Sequence, residues 1–194
     1  MKRCIDFAVA ALLIVLLSPV WLVAALAVKL TSRGPVLFSQ PRGGRGGVPF
    51  LSYKFRTMTA NHRHDPKEIV PLSHPNVTPV GRVLRRLKID ELPQLWNVLK
   101  GDMSLVGPRP TIMEQVLAYN DFQRRRLEVR PGITGLAQVN GNAEISWDER
   151  IKYDVYYVDH MSLALDLSIL AKTLLIIVLG EARFVRPFEK SPYA

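Results

Sequence analysis

The sequence predicts a mainly α-helical protein with a small β-hairpin and an N-terminal segment that associates with a membrane. Three observations predict this fold class. Residues 7–28 form an uncharged run of 22 residues, which as a helix is about 33 Å long against a hydrocarbon core of about 30 Å. Two short strand-like segments flank a glycine-rich connection. Apolar residues recur at helical spacing in most of the remaining chain, with basic residues between them.

The apolar run has three interpretations: a spanning helix, a secretory signal, or a re-entrant hairpin that enters and leaves by one face. A signal is disfavoured because its apolar region is usually about 7–15 residues long. Ser18-Pro19 lies mid-run, where proline cannot donate to the carbonyl four residues earlier and the helix must kink. Basic residues flank both ends of the run, and they prefer the cytoplasmic face. Spanning and re-entrant arrangements both remain open on this evidence.

The β-hairpin is predicted over residues 36–40 and 50–56, with residues 41–47 as its flexible connection. Period two in the second strand places Leu51, Tyr53 and Phe55 on one face. The other face carries Ser52, Lys54 and Arg56, which sets two cations side by side. These cations are either a solvated strand face or part of an anion site.

Residues 61–79 are polar and rich in proline, which predicts a loop. Two histidines, His62 and His64, flank Arg63 there, and the cation between them argues against a metal site. Residues 80–89 follow as a basic amphipathic helix, which suits a membrane surface or an anion site. Its basic residues are Arg82, Arg85, Arg86 and Lys88.

Asp90 and Glu91 precede a second helix, which is predicted to end at Gly101. One interpretation is capping, because carboxylates favour a helix N-terminus. The other is catalytic, because a helix N-terminus and nearby arginines keep a carboxylate ionised and gather phosphate oxygens close to it.

Two further segments are candidate parts of an anion site. Arg109 lies between two prolines, which hold its backbone rigidly, and a fixed guanidinium suits phosphate. The turn at residues 131–135 can form an anion-binding nest. Residues 163–179 are apolar but interrupted by Asp166 and Lys172, which predicts a helix packed on the core or lying at an interface.

Charge and cysteine content limit the possible functions. Lys and Arg number 26 against 17 Asp and Glu, a net charge of +9, which points to an anionic partner. The single cysteine, Cys4, excludes an intrachain disulfide and a cysteine-based zinc site. No nucleic-acid recognition module is visible, so we expect no nucleic-acid partner.

Five blocks of sequence, in order, resemble one family. They are residues 53–58 (YKFRTM), 89–97 (IDELPQLWN), 100–110 (KGDMSLVGPRP), 130–141 (RPGITGLAQVNG) and 153–157 (YDVYY). Together they are similar to the bacterial sugar transferases, the monotopic phosphoglycosyl transferases. The Ser18-Pro19 break also resembles the hinge of that family, which favours the re-entrant hairpin. The resemblance implies a re-entrant membrane segment over residues 1–32 and a catalytic domain over residues 33–194, on the cytoplasmic face of the bacterial inner membrane.

The resemblance implies transfer of a sugar-1-phosphate from a UDP-sugar to polyprenyl (undecaprenyl) phosphate with release of UMP, the first membrane step of glycoconjugate or polysaccharide assembly. It implies Asp90 as the nucleophile that forms a covalent phospho-sugar, Glu91 as its partner, and Mg²⁺ held by these two carboxylates. Membrane lipids and downstream glycosyltransferases are the expected partners. The residues expected to bind substrate are Lys54, Arg56, Arg85, Arg109, Arg130 and Gln138.

One position departs from the pattern of the family, and two rival functions remain. Asn142 stands where the family commonly has arginine, which puts the nucleotide or sugar contacts of that block in doubt. A non-enzymatic adaptor that binds anionic lipid would not need Asp90 and Glu91. A transferase that leaves the phosphate on the nucleotide would release UDP rather than UMP.

Overall fold

The computed structural model describes residues 1–59 and 70–194. The fold is mainly helical with a small antiparallel hairpin, as the sequence predicts. His62, His64 and the rest of residues 61–69 of the predicted loop lie outside the described residues.

The N-terminal run forms two helices, α1 (Lys2–Leu16) and α2 (Ser18–Thr31), which are bent by 62° relative to each other. Pro19 lies in the first turn of α2, where its missing N–H is tolerated. Ser18 Oγ donates to the carbonyl of Val15 at 2.8 Å and satisfies a group near the break. The predicted break at Ser18-Pro19 is therefore confirmed.

Within the described ranges, no single helix combines the length and apolar composition needed to cross a membrane. The bent pair α1 and α2 meets both requirements when its two helices are taken together.

The hairpin pairs β1 (Leu37–Gly43) with β2 (Pro49–Phe55), antiparallel, and Phe38 lies opposite Lys54. β1 extends three residues nearer the turn than the sequence predicts. β1 can contain Pro41, which has no backbone N–H, because one edge of each strand in a two-stranded sheet forms no hydrogen bonds with another strand.

The segment that carries the acidic pair is divided more finely than the sequence predicts. Helix α3 (Pro79–Arg86) is capped at its N-terminus by Thr78, whose Oγ1 accepts from the N–H of Gly81 at 2.9 Å. It ends before residue 89 because Lys88 adopts a left-handed conformation with φ of 57°. A short 3₁₀ turn (Ile89–Glu91) follows.

Helix α4 (Gln94–Lys100) comes next and ends, as predicted, at Gly101, whose φ is 94°. Its apolar side chains are only partly buried, because Leu95 is 3% exposed and Trp96 is 53% exposed.

Two short parallel strands and four helices complete the fold. These elements are β3 (Ser104–Val106), α5 (Met113–Leu117), α6 (Asp121–Arg124), β4 (Gly132–Thr134), α7 (Trp147–His160) and α8 (Leu163–Leu179). The core lies between α1, α4, α7 and α8, and fully buried side chains such as Tyr153, Tyr157 and Met103 fill it.

Buried polar contacts attach the start of α1 to this core. Lys2 Nζ lies 2.6 Å from Asp166 Oδ2 of α8, and Tyr157 Oη donates to the other oxygen of Asp166 at 2.6 Å. Asp6 of α1 accepts from Ser104 Oγ at 2.8 Å. Buried charges are costly unless paired, so these contacts hold the amino terminus beside the domain formed by the rest of the chain.

Candidate active site

A cavity of about 1010 Å³ lies between the β-hairpin, the segment that carries the acidic pair, and the C-terminal end of α8. Asp90 and Glu91 both line it. An apolar portion of its wall is formed by Leu37, Phe38, Leu87, Ile177 and Leu179. The cations on its wall include Arg42, Lys54, Arg56, Arg85 and Arg109. The cavity therefore suits a ligand with both phosphate groups and an apolar part.

Glu91 is held by two cations. Its Oε1 accepts from Lys54 Nζ at 2.6 Å and from Arg109 Nη2 at 2.7 Å, and Arg109 Nη1 lies 3.4 Å from Oε2. Burial by itself raises the pKa of Glu91, but Arg109 and Lys54 together hold that pKa well below its usual range. Burial lowers the pKa of Lys54, and the negative charge of Glu91 opposes this shift. Glu91 is thus ionised at neutral pH and fixed in place.

Asp90 has a different environment although it is the adjacent residue. It is 8% exposed, and its carboxylate makes no hydrogen bond to any residue that the structure describes. Burial raises its pKa, and the neighbouring charge of Glu91 raises that pKa further. Neither the 3₁₀ turn nor α4 has a side-chain cap, so the carboxylate is not used for capping. It is left available to a ligand in the cavity.

Arg85 is anchored on the wall of the cavity near this carboxylate. Its Nε donates to Thr57 Oγ1 at 2.9 Å and its Nη1 to the carbonyl of Val70 at 3.1 Å. Burial lowers the pKa of Arg85, while Asp90 and Glu91 oppose that shift. The structure thus brings Arg85 together with Lys54, Arg109 and the acidic pair.

Three other residues predicted to bind substrate have different surroundings. Arg56 lines the cavity, but its guanidinium donates to the carbonyls of Ser32 and Arg33, each at 2.8 Å, just after α2. Arg130 Nε donates to the carbonyl of Gly101 at 2.8 Å, away from the cavity wall. Gln138 Nε2 donates to a backbone carbonyl at 3.3 Å, and its Oε1 is buried without a partner in the described chain. Their predicted contacts with substrate stay predictions.

The model of the family described as "Bacterial sugar transferase" matches residues 1–180. The chain belongs to this family. The five blocks that resemble the bacterial sugar transferases all lie within the matched range.

Similar bacterial sugar transferases differ in length. "Uncharacterized sugar transferase EpsL" of Bacillus subtilis is 46% identical over 181 residues, 93% of this chain and 89% of that protein. "UDP-N-acetylgalactosamine-undecaprenyl-phosphate N-acetylgalactosaminephosphotransferase" of Aeromonas hydrophila is 46% identical over 92% of this chain, which spans 44% of that protein. "UDP-glucose:undecaprenyl-phosphate glucose-1-phosphate transferase" of Caulobacter vibrioides is 46% identical over 89% of this chain, which spans 67% of that protein.

Asn142, the position at which the resemblance predicts an arginine, lines the cavity. It adopts a φ of 46°, a left-handed conformation that asparagine tolerates better than most residues. An uncharged side chain therefore stands on the cavity wall at this position.

A buried ion pair that the sequence did not reveal supports Arg109. Arg126 Nη2 donates to the backbone carbonyl of Arg109 at 2.8 Å and to Asp154 Oδ2 at 2.6 Å. Arg126 and Asp154 are 4% and 1% exposed. In the sequence, Arg126 belongs to a run of three arginines, a pattern more typical of a solvated or lipid-facing surface. The sequence signal for this ion pair is Asp154, a single carboxylate within an aromatic stretch, because a carboxylate buried among aromatic side chains requires a cation.

We expect Arg126→Lys to lower kcat/KM about tenfold, because lysine cannot hold Asp154 and the Arg109 carbonyl with one planar group. Asp154→Asn leaves Arg126 charged, buried and unpaired, and is expected to cost about 3–5 kcal/mol of stability. Steady-state kinetics and thermal unfolding check these effects. Arg124→Ala is the control from the same run, and an equal loss of activity in it would remove the special role of Arg126.

Proposed function

We propose that this bacterial sugar transferase moves a sugar-1-phosphate from a UDP-sugar to polyprenyl phosphate and releases UMP. The observation that carries the proposal is the buried, unbonded carboxylate of Asp90 in a cavity lined with cations. A nucleophile needs an available lone pair, and a diphosphate needs nearby positive charge. Three similar proteins carry names that describe phosphotransfer to undecaprenyl phosphate, which supports the same reaction class.

In the first step, an oxygen of Asp90 attacks the phosphorus that bears the sugar. The bond from that phosphorus to the bridging oxygen breaks, and UMP leaves with the electron pair and its negative charge. A sugar phosphate remains on Asp90 as an acyl phosphate. In the second step, a phosphate oxygen of the lipid attacks the same phosphorus, which frees Asp90 and forms the lipid-linked diphosphate sugar.

The cations on the cavity wall lower the cost of bringing anions together. Arg85 and Arg109 are placed to bind phosphate oxygens while the nucleophile approaches. Glu91 holds Lys54 and Arg109 in position and keeps their charge close to Asp90.

We propose Mg²⁺ as the cofactor, with Asp90 and Glu91 as its protein ligands. The described residues contain no cluster of three or more metal-ligating side chains. Mg²⁺ is commonly held by one or two carboxylates plus substrate phosphates, and the unbonded oxygens of Asp90 fit that requirement. When bound, the ion neutralises charge on the diphosphate.

The apolar surface supports a proposed placement at the membrane. Exposed apolar side chains cover α1 and α2, among them Leu12, Val15, Leu22 and Val23, and others cover the end of α8. We propose that these surfaces contact lipid, that α1 and α2 form a re-entrant hairpin, and that the cavity opens on the cytoplasmic face of the inner membrane. The polyprenyl acceptor would then reach the cavity from the bilayer, while the soluble donor enters from the cytoplasm.

We expect native Cys4, which is exposed and precedes the break, to resist an impermeant maleimide in intact spheroplasts and to react after permeabilisation. The double variant Ser18→Ala, Pro19→Ala removes the break and should make a fraction of Cys4 reactive from outside. Ala194→Cys in a Cys4→Ser background is the control for the cytoplasmic side. Labelling of Cys4 from outside in the unaltered chain would exclude the re-entrant arrangement.

Activity is expected to fall as the pH is lowered through a pKa above that of an ordinary aspartate. Burial and Glu91 raise the pKa of Asp90, and only its ionised form attacks phosphorus. A profile of kcat/KM against pH, with donor binding measured in parallel, checks this. A profile that is flat down to pH 4 would contradict the assignment of Asp90 as nucleophile.

The full chain in detergent micelles, given a panel of UDP-sugars, tests the function. With donor alone we expect at most one UMP per active site and a sugar phosphate on Asp90 in mass spectra. With undecaprenyl phosphate we expect multiple turnovers. UDP as the product would indicate the glycosyl transfer that leaves phosphate behind, and lipid binding without turnover would indicate the adaptor.

A further inference from the structure

Gln40 and Arg42 of β1 share the face of the hairpin that carries Lys54. In the antiparallel register, Phe38 lies opposite Lys54 and Gln40 lies opposite Ser52. Directly opposite residues share a face, and so do alternate residues along one strand. Gln40, Arg42 and Lys54 all line the cavity, so this face is directed toward the acidic pair.

The cations on the cavity wall differ in what neutralises them. Lys54 and Arg109 are both paired with the carboxylate of Glu91. Arg42 donates from Nη2 to Gln40 Oε1 at 2.6 Å. Among the described residues, this neutral amide is the hydrogen-bond partner of the Arg42 guanidinium. No carboxylate in the described part of the chain forms an ion pair with Arg42.

Arg42 is partly buried, which makes the absence of a paired anion costly. Burial lowers its pKa to about 10, with Arg109 contributing to that shift and Glu91 opposing it. The guanidinium still carries its charge at neutral pH. Gln40 occupies one of its amino groups and orients the planar fork, so the remaining N–H donors are available to an acceptor in the cavity.

We propose that Arg42, oriented by Gln40, binds phosphate oxygens of a substrate in this cavity. The inference rests on the proposed function and assigns a binding residue pair for that reaction. A fixed guanidinium binds phosphate through two parallel N–H···O bonds. The UDP moiety of the donor and the headgroup of polyprenyl phosphate both present this chemistry, and the experiment below separates them.

Two variants test the pair, and a third is a matched control. Arg42→Gln removes the charge, and Gln40→Glu keeps Arg42 but supplies a carboxylate that neutralises it in place. Arg45→Gln makes the same charge change three residues along the hairpin. Arg45 is exposed and donates to the carbonyl of Glu128, outside the cavity.

The full chain in detergent micelles is titrated with UDP by calorimetry, and the KM for undecaprenyl phosphate is measured with donor saturating. We expect Arg42→Gln and Gln40→Glu to weaken UDP binding, or to raise that KM, by about tenfold or more. Arg45→Gln should change neither by more than about twofold. Arg42→Lys retains the charge, so its UDP affinity and its KM should lie between those of the unaltered chain and those of Arg42→Gln. It replaces Arg42→Gln as the test variant if Arg42→Gln fails to fold.

A change in UDP affinity identifies the donor as the ligand of Arg42, and a change confined to the KM identifies the lipid phosphate. Either result supports the proposal. If the unaltered chain binds UDP and turns over but neither cavity variant changes either quantity, the role of Arg42 is overturned while the proposed function stands. If the unaltered chain neither binds UDP nor turns over, the proposed function itself fails.

Discussion

Replacing Asp90 with Asn is expected to abolish turnover and, at the same time, to raise the melting temperature. Asparagine has nearly the size of aspartate but no negative charge, so it cannot form the acyl phosphate. Loss of a covalent nucleophile costs about four orders of magnitude or more in kcat. Binding of UDP should survive, because the cations on the cavity wall are unchanged.

The stability gain follows from the raised pKa of Asp90. A carboxyl group whose pKa is higher in the folded state than in the unfolded state stabilises the fold when the pH is below the pKa of the unfolded state. That contribution is lost as the pH rises through the folded pKa, so at pH 7 the ionised group opposes folding. The neutral amide removes this penalty, and each kcal/mol gained raises the melting temperature by about 2–4 °C.

Thermal unfolding at several pH values, together with single-turnover UMP release, checks both parts. The gain in melting temperature over the unaltered chain should grow as the pH rises from 4 to 8. Asp121→Asn, an exposed aspartate outside the cavity, is the control and should change neither activity nor stability. Retained turnover in Asp90→Asn would remove Asp90 as the nucleophile.

Replacing Glu91 with Gln is expected to lower both activity and stability. The effect on stability is thus opposite to that expected for Asp90→Asn. Glutamine can still accept one hydrogen bond, but Lys54 and Arg109 lose the charge that they share. The folded pKa of Glu91 is lowered, so its stabilising contribution is present above the unfolded pKa. That contribution is lost only as the pH falls through the folded value.

At pH 7 the expected loss is about 1–2 kcal/mol, after a discount for the solvent that screens the 40% exposed Arg109 side chain. Denaturant unfolding at pH 7 measures it, and activity against Mg²⁺ concentration reports any change in metal requirement. Glu128→Gln is the control, since Glu128 is exposed and does not line the cavity. A more stable Glu91→Gln protein would show that the desolvation cost of the two ion pairs exceeds the stabilisation from their electrostatic attraction.

The opposite pKa directions of Asp90 and Glu91 could not be obtained from the sequence. The two residues are adjacent, and each suits a helix N-terminus equally. Which of them receives the cations depends on where Lys54 arrives from β2 and Arg109 from the segment after β3. These contacts join residues 37 and 18 positions away from Glu91.

The sequence by itself determined the features that depend on local chemistry. Pro19 lacks an N–H and breaks the apolar run, Gly101 permits the left-handed turn that ends α4, and alternation along residues 50–56 set which residues of β2 share a face. Each of these rests on the conformational limits of one residue or on a short period.

Only the tertiary structure decided which charged groups are neutralised and which remain available. Lys2 pairs with Asp166 across 164 positions of sequence, and Arg126 is buried although Arg124, two positions earlier, is exposed. Arg42 lines the cavity, and its hydrogen-bond partner in the described part of the chain is the neutral amide of Gln40. Burial and pairing set the free energy of a charge, and both are fixed by segments that meet only when the chain has folded.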